Sequence, residues 1–459
     1  MTIARKLADY ALGYKYENLP EEVIHAAKRR ILDTLGCAIG GYNSTASEAI
    51  REVISGLGTS GKATVIGSGL KANCPNAALA NGMMTRYLDY MDQVTIPVGN
   101  WYGYAHPSEV IPGLLAMAER EHLSGTKVIN STSLAYDLSA RFAEAAAVIP
   151  IAKKGFAPDT LGIFVMPIIS GKLLGLNATQ IENAIGISGS HGMVLGILDA
   201  AKETNTMAKN MRFPNTAYQG IMAAFLAEKG FTGPTRVLEG ESGFISSVMG
   251  GDFDIGKLVD FDSGFRILKA ESKAWAACGT IQGHLNATLN IVNEHDLKPA
   301  DVASIQIWAG TRSVQHTGDP AKHYPKNKET ADHSAHYVTA VAIKERALGP
   351  AQYASEKYDD PVIKDLISKI SFDVDMSLDK YGRAGITEIT THDGKVHSCR
   401  IEYPKGHPDN PMTDEEINDK FYSLAEPPMG KDKAIKIIDT VYSLEQMSDI
   451  GQLMDMLVF

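Results

Sequence analysis

The sequence has few cysteines, no long apolar segment and no excess of basic residues. Its four cysteines, Cys37, Cys74, Cys278 and Cys399, are far apart and form no Cys-x-x-Cys pair, which disfavours a zinc site or an iron–sulfur cluster. No apolar run approaches the roughly 18 residues of a membrane span, and the first residues lack the apolar stretch of a signal peptide. We therefore expect a cytoplasmic protein with reduced thiols.

The charge balance is acidic, with a formal net charge of -10 at pH 7. Nucleic acid and anionic membrane surfaces are not expected partners, because either would require a basic field on the protein. A small anionic substrate would instead need a local cluster of cations. The length of 459 residues exceeds one ordinary core, so we expect two folding units that can be interleaved in sequence.

Helical periodicity dominates the chain up to about residue 265. The segment LPEEVIHAAKRRILDTLG is typical, because a proline and two glutamates open a run with an apolar stripe. Later in the chain, Val302 to Trp308 alternates as a strand does, and Ile386 to Tyr403 is typical of a hairpin turning at Asp393-Gly394. Helical patterns lie between these strands and return after residue 411, where Thr413-x-x-Glu416 predicts a capping box.

These patterns predict a mainly α protein. The expected architecture is an all-helical domain built from both chain ends, residues 1–267 and 405–459, with an inserted α+β lid domain at residues 268–404.

Asp89, Asp92 and His106 flank an irregular stretch between two predicted helices and are candidates to line one cavity. His106 stands just before a helix start, where unpaired N–H groups and the positive dipole end favour a bound anion and a neutral imidazole. The alternative is that His106 only precedes a helix begun by proline and that both aspartates are solvated.

Further candidates lie in three later segments. Lys209 and Arg212 are three residues apart in an apolar neighbourhood and could clamp a carboxylate, although a solvated cationic face is as good an interpretation. Lys273 precedes an apolar stretch, and His284 falls on a predicted helix. His333, His336 and Tyr337 lie at a helix start, but no third ligand is evident nearby, so we expect no metal.

Taken in order, these segments resemble the MmgE/PrpD family, which includes 2-methylcitrate dehydratase, cis-aconitate decarboxylase and iminodisuccinate epimerase. The resemblance is carried by ALANGMMTRYLDYMD, AHPSEVIPGLLAMAE, GKLLGLNATQIENAIGISGS, MAKNMRFPNTAYQG and DHSAHYVTAVAI, and runs through most of the chain. It implies a helical domain with an inserted lid domain, with the active site in the cleft between these two domains. It also implies that the protein is usually a homodimer and uses neither a metal nor an organic cofactor.

The resemblance also implies a set of site residues. It places catalytic roles on Asp89, His106, Lys209, Lys273 and Tyr337 and matches Asp92 to an acidic position of the family. We expect substrate-binding roles for Asp92 and, from the residue patterns above, for Arg212 and His284. Two positions depart from the family pattern. Ala157 stands where the family commonly has a histidine, and Gln282 stands where it often has a later one, with His284 displaced by two residues.

The expected activity is that of a lyase on a small di- or tricarboxylate, acting by proton transfer next to a carboxylate as in a dehydratase or decarboxylase. The two lysines would stabilise the aci-carboxylate intermediate, while His106, oriented by Asp89 or Asp92, would act as base or acid. Tyr337 would donate a hydrogen bond or proton. An isomerase or epimerase is the second hypothesis, and a non-catalytic homologue that only binds a polycarboxylate is the third.

Overall fold

The computed structural model describes residues 1–58, 60–98 and 101–459, without the side chains at positions 97, 98 and 101. The prediction of a mainly α protein is confirmed. The α-helices are α1 Ile3–Gly13, α2 Glu21–Gly40, α3 Thr45–Leu57, α4 Cys74–Tyr87, α5 Ile111–Arg120, α6 Gly125–Ala146, α7 Gly162–Leu173, α8 Ala178–Gly189, α9 Arg212–Glu228, α10 Phe244–Ser247, α11 Ile255–Val259, α12 Gln282–Glu294, α13 Thr311–Thr317, α14 Lys328–Ala331, α15 Ala335–Glu345, α16 Pro361–Ser368, α17 Asp414–Met429, α18 Lys431–Tyr442 and α19 Gly451–Met456. Within the described ranges, no helix has both the length and the apolar character needed to cross a membrane.

The strands form small sheets. They are β1 Ala63–Thr64, β2 Lys71–Ala72, β3 Gln93–Val98, β4 Trp101–Ala105, β5 Ala270–Glu271, β6 Val302–Ala309, β7 Ile370–Val374, β8 Gly385–Thr391 and β9 Val396–Ile401. Strands β1 and β2 form one pair, β4-β3-β5 a three-stranded sheet, and β7-β6-β8-β9 a four-stranded sheet in which only β6 and β7 run parallel. The predicted strand and the predicted hairpin after residue 302 are therefore confirmed.

The C-terminal helices return to the N-terminal part of the chain. Helix α17 begins with the predicted capping box of Thr413 and Glu416 and packs against α2. The two helices approach closely because α2 carries glycine at the contact. A Cβ added to Gly36 would lie 3.1 Å from the ring of Phe421, so a larger residue would push the helices apart.

The buried apolar side chains fall into two main clusters. One is built from residues 3–270 and 412–457, so both chain ends contribute to it. The other is built from residues 276–389, with a few side chains from the helical part, such as Leu88 and Leu424, at its edge. We refer to these two parts as the helical part and the lid. The domain boundaries at residues 268 and 405 stay a prediction.

The stretch between α4 and α5, expected to be irregular, instead contains the hairpin of β3 and β4. Strand β3 also pairs with β5, with Gln93 opposite Glu271. Because this pairing is antiparallel, the chain before Gln93 runs alongside the chain after Glu271. The sheet thereby brings Lys273 next to Asp89, two residues that are far apart in the sequence.

Candidate active site

A cavity of about 330 Å³ lies between the helical part and the lid. It is lined by Arg86, Asp89, Gln93, Tyr102, Tyr104, His106, Asp199, Lys273, Cys278, Gly279, Thr280, Arg312, His316, His333 and Arg383. Tyr104, Asp199, Arg312 and His316 also line a wider adjoining cavity, which contains Ala157 and Arg212.

Asp89 is the charged centre of the helical side of this cavity. It follows the end of α4 with a φ of 49°, in the left-handed region, which costs a non-glycine residue about 1–3 kcal/mol. Its carboxylate accepts a hydrogen bond from Lys209 Nζ at 2.8 Å and another from Lys273. Burial would raise the pKa of Asp89, but Lys209 and Lys273 hold it well below its usual range. The ion pairs thus fix a strained backbone position.

Both predicted lysines meet at this carboxylate and are almost fully buried. Lys273 also donates to the backbone oxygen of Asp89 at 2.9 Å. Burial lowers the pKa of Lys273, and Asp89 compensates only in part. Burial also lowers the pKa of Lys209, but Asp332 and Asp89 reverse the effect and raise it. Of the two, Lys273 lines the cavity, whereas Lys209 stands behind Asp89.

A third cation on this wall is Arg86, from the last turn of α4. Its Nη1 donates to Glu109 at 2.7 Å, and its Nη2 lies 3.8 Å from Asp89. Burial raises the pKa of Glu109 to about 7, although Arg86 opposes that rise. The guanidinium is therefore held rigidly at the cavity surface, where a substrate carboxylate can meet it.

His106 is positioned as a neutral base. It follows β4 and precedes a short 3₁₀ turn, Pro107–Val110, that leads into α5. Its Nδ1 lies 3.2 Å from the backbone oxygen of Asp92, and because a carbonyl only accepts, Nδ1 carries a proton. In the neutral ring, Nε2 therefore keeps its lone pair. Burial, followed by the positive charges of Arg86 and Lys273, holds the pKa of His106 well below its usual 6.5.

Asp92 supports the site from behind. Its carboxylate accepts a hydrogen bond from Tyr136 at 2.5 Å and lies 3.4 Å from Arg30 Nε. It is fully buried and absent from the described residues that line the cavity, so the expected contact with substrate is not seen. The backbone carbonyl of Asp92, and not its carboxylate, orients His106.

Arg212 lies at the start of α9, and acidic partners occupy its guanidinium. Nε lies 3.1 Å from Asp159, and Nη1 donates to Asp199 at 2.7 Å. It lines the wider cavity and not the inner one. The expected clamp on a substrate carboxylate is thus already engaged by two aspartates, one of which, Asp199, reaches the inner cavity.

Tyr337 and His284 are not brought to the cavity by the fold. The Tyr337 hydroxyl donates to the backbone oxygen of Gln352 at 2.8 Å, inside the lid core. The ring of His284 packs 5.2 Å from that of Phe372, and burial lowers its pKa to about 3. Both side chains lie on the core-facing sides of their helices, and the site roles expected for them stay predictions.

The sequence reading missed most of the aromatic and lid residues of the cavity. The hydroxyl of Tyr102 is buried and makes no hydrogen bond to the part of the chain that the structure describes. Arg312 stacks over the rings of Tyr102 and Tyr104 at 5.2 and 5.1 Å, and Arg383 pairs with Glu271 at 3.0 Å. The alternation of tyrosines in WYGYA was the available signal for a strand that turns both to one face.

Among the residues that the structure describes, two groups of side chains have the composition of a metal site. One is Asp89, Asp332 and His333, but the Lys209 ammonium occupies its centre, 2.8, 3.5 and 3.3 Å from the three. The other is Cys278, His316 and His333, whose ligand atoms lie within 4.8 Å of one another. His336, which the sequence pairs with His333, instead stacks on His323.

Two family models match most of the chain. Residues 5–256 match the MmgE/PrpD N-terminal domain and residues 275–445 match the MmgE/PrpD C-terminal domain. The chain belongs to the MmgE/PrpD family, and the resemblance seen in the sequence is confirmed.

Similar curated proteins include cis-aconitate decarboxylases from animals and a fungus. The Homo sapiens enzyme is 26% identical over 99% of this chain and 94% of its own length. The Mus musculus enzyme is 25% identical over 98% and 92%, and the Aspergillus terreus enzyme is 24% identical over 99% and 96%. The likeness thus extends over both parts of the molecule.

Proposed function

We propose that the protein is a lyase that acts on a small di- or tricarboxylate by proton transfer next to a carboxylate, as a 2-methylcitrate dehydratase or a cis-aconitate decarboxylase does. The observation that carries this proposal is the neutral His106, whose open Nε2 stands in a cavity also lined by Arg86, Lys273, Arg312 and Arg383. Such a cavity attracts a polyanion to an acidic protein and presents a base to it.

The reaction starts when His106 Nε2 removes the proton next to a bound carboxylate. This step places additional negative charge on the carboxylate oxygens, so fixed cations lower its barrier most. Lys273 and Arg86 are cations on the same wall, held by ion pairs with Asp89 and Glu109. Because both are anchored by acidic partners, they need not reorganise as the charge develops.

The second half of the reaction needs a proton donor. Tyr102 lines the cavity, and burial raises the pKa of its hydroxyl despite the opposing charge of Arg383, so the hydroxyl stays protonated. We assign to Tyr102 the donor role that the sequence gave to Tyr337.

The two positions that depart from the family pattern lie in different places. Ala157, in place of the family histidine, lines the wider cavity, whereas the side-chain amide of Gln282 donates to the backbone oxygens of Trp275 and Ala277.

Two considerations bear on the kind of lyase. A neutral His106 suits removal of a proton, which begins a dehydration, whereas the names of the relatives favour decarboxylation. An epimerase shares the first step and requires a second group that returns the proton to the opposite face.

We also propose that the protein is a cytoplasmic homodimer, and light scattering on the purified protein tests the oligomeric state.

The test is incubation of the protein in D₂O with a panel of di- and tricarboxylates, followed by NMR. Loss of the α-proton signal with a new alkene signal supports a dehydratase, and loss of CO₂ supports a decarboxylase. Exchange without net product indicates an epimerase. Binding of a panel member without exchange or turnover, measured by calorimetry, would leave only the non-catalytic homologue.

A further inference from the structure

We propose that the wider cavity binds an apolar substituent of the substrate, so that the protein acts on a di- or tricarboxylate that carries an alkyl chain longer than methyl. This inference rests on the proposed function and narrows its substrate class. The carboxylates occupy the inner cavity, and the chain extends from there into the wider one.

The two cavities meet at four side chains that line both of them, those of Tyr104, Asp199, Arg312 and His316. The wider cavity measures about 1050 Å³, against about 330 Å³ for the inner one. A substrate held among the cations of the inner cavity therefore has room for a substituent on this side.

The lining of the wider cavity changes character beyond these four polar residues. Arg212 is buried there, but Asp159 and Asp199 already pair with its guanidinium, and Lys153 and Gln315 are exposed. Most of the other lining residues are small or apolar, among them Ala152, Phe156, Ala157, Pro158, Ile197 and Ala201. Such a surface favours an alkyl chain over water, because burial of apolar area is stabilising.

Ala157 leaves space in this wall. Its side chain ends at Cβ, and it stands where the family commonly has a histidine. A histidine would add an ionisable ring to the wall, whereas alanine leaves an apolar surface and the volume of that ring. The residue at this position therefore decides which substituent the cavity accepts.

Backbone hydrogen bonds fix the two segments that form this wall. The N–H of Ala157 donates to the oxygen of Val194 at 2.8 Å, and the N–H of Gly196 donates to the oxygen of Gly155 at 2.9 Å. Gly155 has a φ of 88°, in the left-handed region that favours glycine, and a Cβ added to Gly196 would lie 3.2 Å from the Gly155 oxygen. Glycine at both positions lets the segments approach, so the wall is formed before a ligand binds.

Calorimetry of the full-length protein tests the proposal, with citrate and with citrates that carry a methyl, propyl or pentyl chain on one methylene carbon. We expect the dissociation constant to fall about fourfold for each methylene group that enters the wider cavity. Hexanoate, which has the chain but a single carboxylate, should bind far more weakly and controls for unspecific binding. Binding needs no turnover, so the panel in D₂O tests the proposed reaction separately.

Variants of the wall locate the chain. Ala157→Leu fills part of the wider cavity and should reduce the preference for pentyl-substituted over unsubstituted citrate by about tenfold or more. The matched variant Ala351→Leu, at an exposed position of the lid outside the described lining of either cavity, should keep that preference. Ala200→Leu, on the same cavity as Ala157, serves if Ala157→Leu does not fold.

Equal dissociation constants across the series, or binding of none of its members, would overturn the proposal and leave the wider cavity as an entrance only. An unchanged preference in both Ala157→Leu and Ala200→Leu would do so as well, because the chain would then bind elsewhere. An intact chain preference without exchange in the D₂O panel would refute the proposed reaction and support the binding of the chain.

Discussion

The cavity has one side formed by the helical part and one formed by the lid, and we call them the helical wall and the lid wall. The two walls differ in how their buried charges are paired. On the helical wall, Asp89 lies between Lys209 and Lys273, and each buried charge has an opposite partner at close range. On the lid wall, Cys278 and His316 gather opposite Asp199 of the helical part, whose Oδ1 has no hydrogen bond within the described chain although Arg212 pairs with its other oxygen. Buried charges that are paired hold a fixed geometry, whereas thiol, imidazole and carboxylate groups with an unused bonding position can bind a ligand. The helical wall is therefore suited to chemistry and the lid wall to binding.

The largest expected effect is on the rate of α-proton exchange. It distinguishes His106 on the helical wall from His284 in the lid core. His106→Gln removes the base of the helical wall and should lower the rate of α-proton exchange by about 10²–10⁴-fold. His284→Gln alters a histidine of the lid core that does not line the cavity, so its rate per folded molecule should match the unmodified protein. NMR of exchange in D₂O measures both.

The opposite pattern would break the comparison. If His284→Gln lost exchange while His106→Gln kept it, the base would belong to the lid. Folding is checked by near-ultraviolet circular dichroism, so that a loss of structure is not mistaken for a loss of catalysis.

The second prediction concerns the stability of the helical wall. Asp89→Asn leaves two buried ammonium groups without their shared partner and should lower the free energy of unfolding by about 3–5 kcal/mol. The double variant Asp89→Asn/Lys273→Met removes one of these stranded charges and should recover part of the loss. Urea denaturation of Asp89→Asn, of Lys273→Met and of the double variant gives the coupling energy between the two side chains, for which about 0.5–3 kcal/mol is expected.

Strict additivity in this cycle would contradict the close pairing of Asp89 with Lys273. In that case the helical wall would hold its charges no more tightly than the lid wall, and the difference between the two walls would disappear.

The helical wall could be predicted from the sequence far better than the lid wall. Asp89 and His106 lie at helix ends within one short segment, and the order of the family-like motifs adds Lys209 and Lys273 to them. Three of these four residues line the cavity, and the fourth bonds to Asp89. The helical fold followed from periodicity for the same reason, because its signals are local.

The lid wall depends on packing between distant segments, which no local pattern reports. Arg312 and Arg383 come from separate elements, and His316 meets His333 only once α13 and α15 are in place. The role expected for Tyr337 stays a prediction, because a helix start tells which residues are near a cavity but not which face is turned to it. Tyr102 lay in a stretch interpreted as irregular, where strand alternation was overlooked.

The third prediction compares these two tyrosines by removing one hydroxyl from each. Tyr102→Phe should lower the turnover rate by roughly 10–100-fold, the effect of losing a hydrogen bond to a charged group worth about 1.5–3 kcal/mol. Tyr337→Phe should leave the rate unchanged and cost about 1 kcal/mol of stability, because the oxygen of Gln352 loses its donor. Steady-state kinetics and urea denaturation read the two effects separately.

A rate loss in Tyr337→Phe equal to that in Tyr102→Phe would restore the role first expected of Tyr337. It would also mean that the lid moves far enough during turnover to bring its core tyrosine to the substrate.

The smallest expected effect is a shift in pH dependence. Burial and the nearby positive charges of Arg86 and Lys273 keep the pKa of His106 well below 6.5, while Asp89 acts in the opposite direction. A base works in its unprotonated form, so kcat/KM should stay level as the pH falls through 6.5 and decline only at a lower pH. An acid limb at 6.5 or above, in the pH profile of kcat/KM, would argue against His106 as the base.

Removing a positive charge near His106 gives a sharper test of this pH dependence. Arg212 also lowers the pKa of His106, but it is engaged by Asp159 and Asp199, so Lys273→Met is the cleaner change. Loss of its positive charge should raise the pKa of His106 and move the acid limb to higher pH, even though the rate itself falls. Histidine-selective NMR titration follows this pKa without turnover. If it stayed in place, the cations of the helical wall would not act on the base, and the matched charges would serve structure alone.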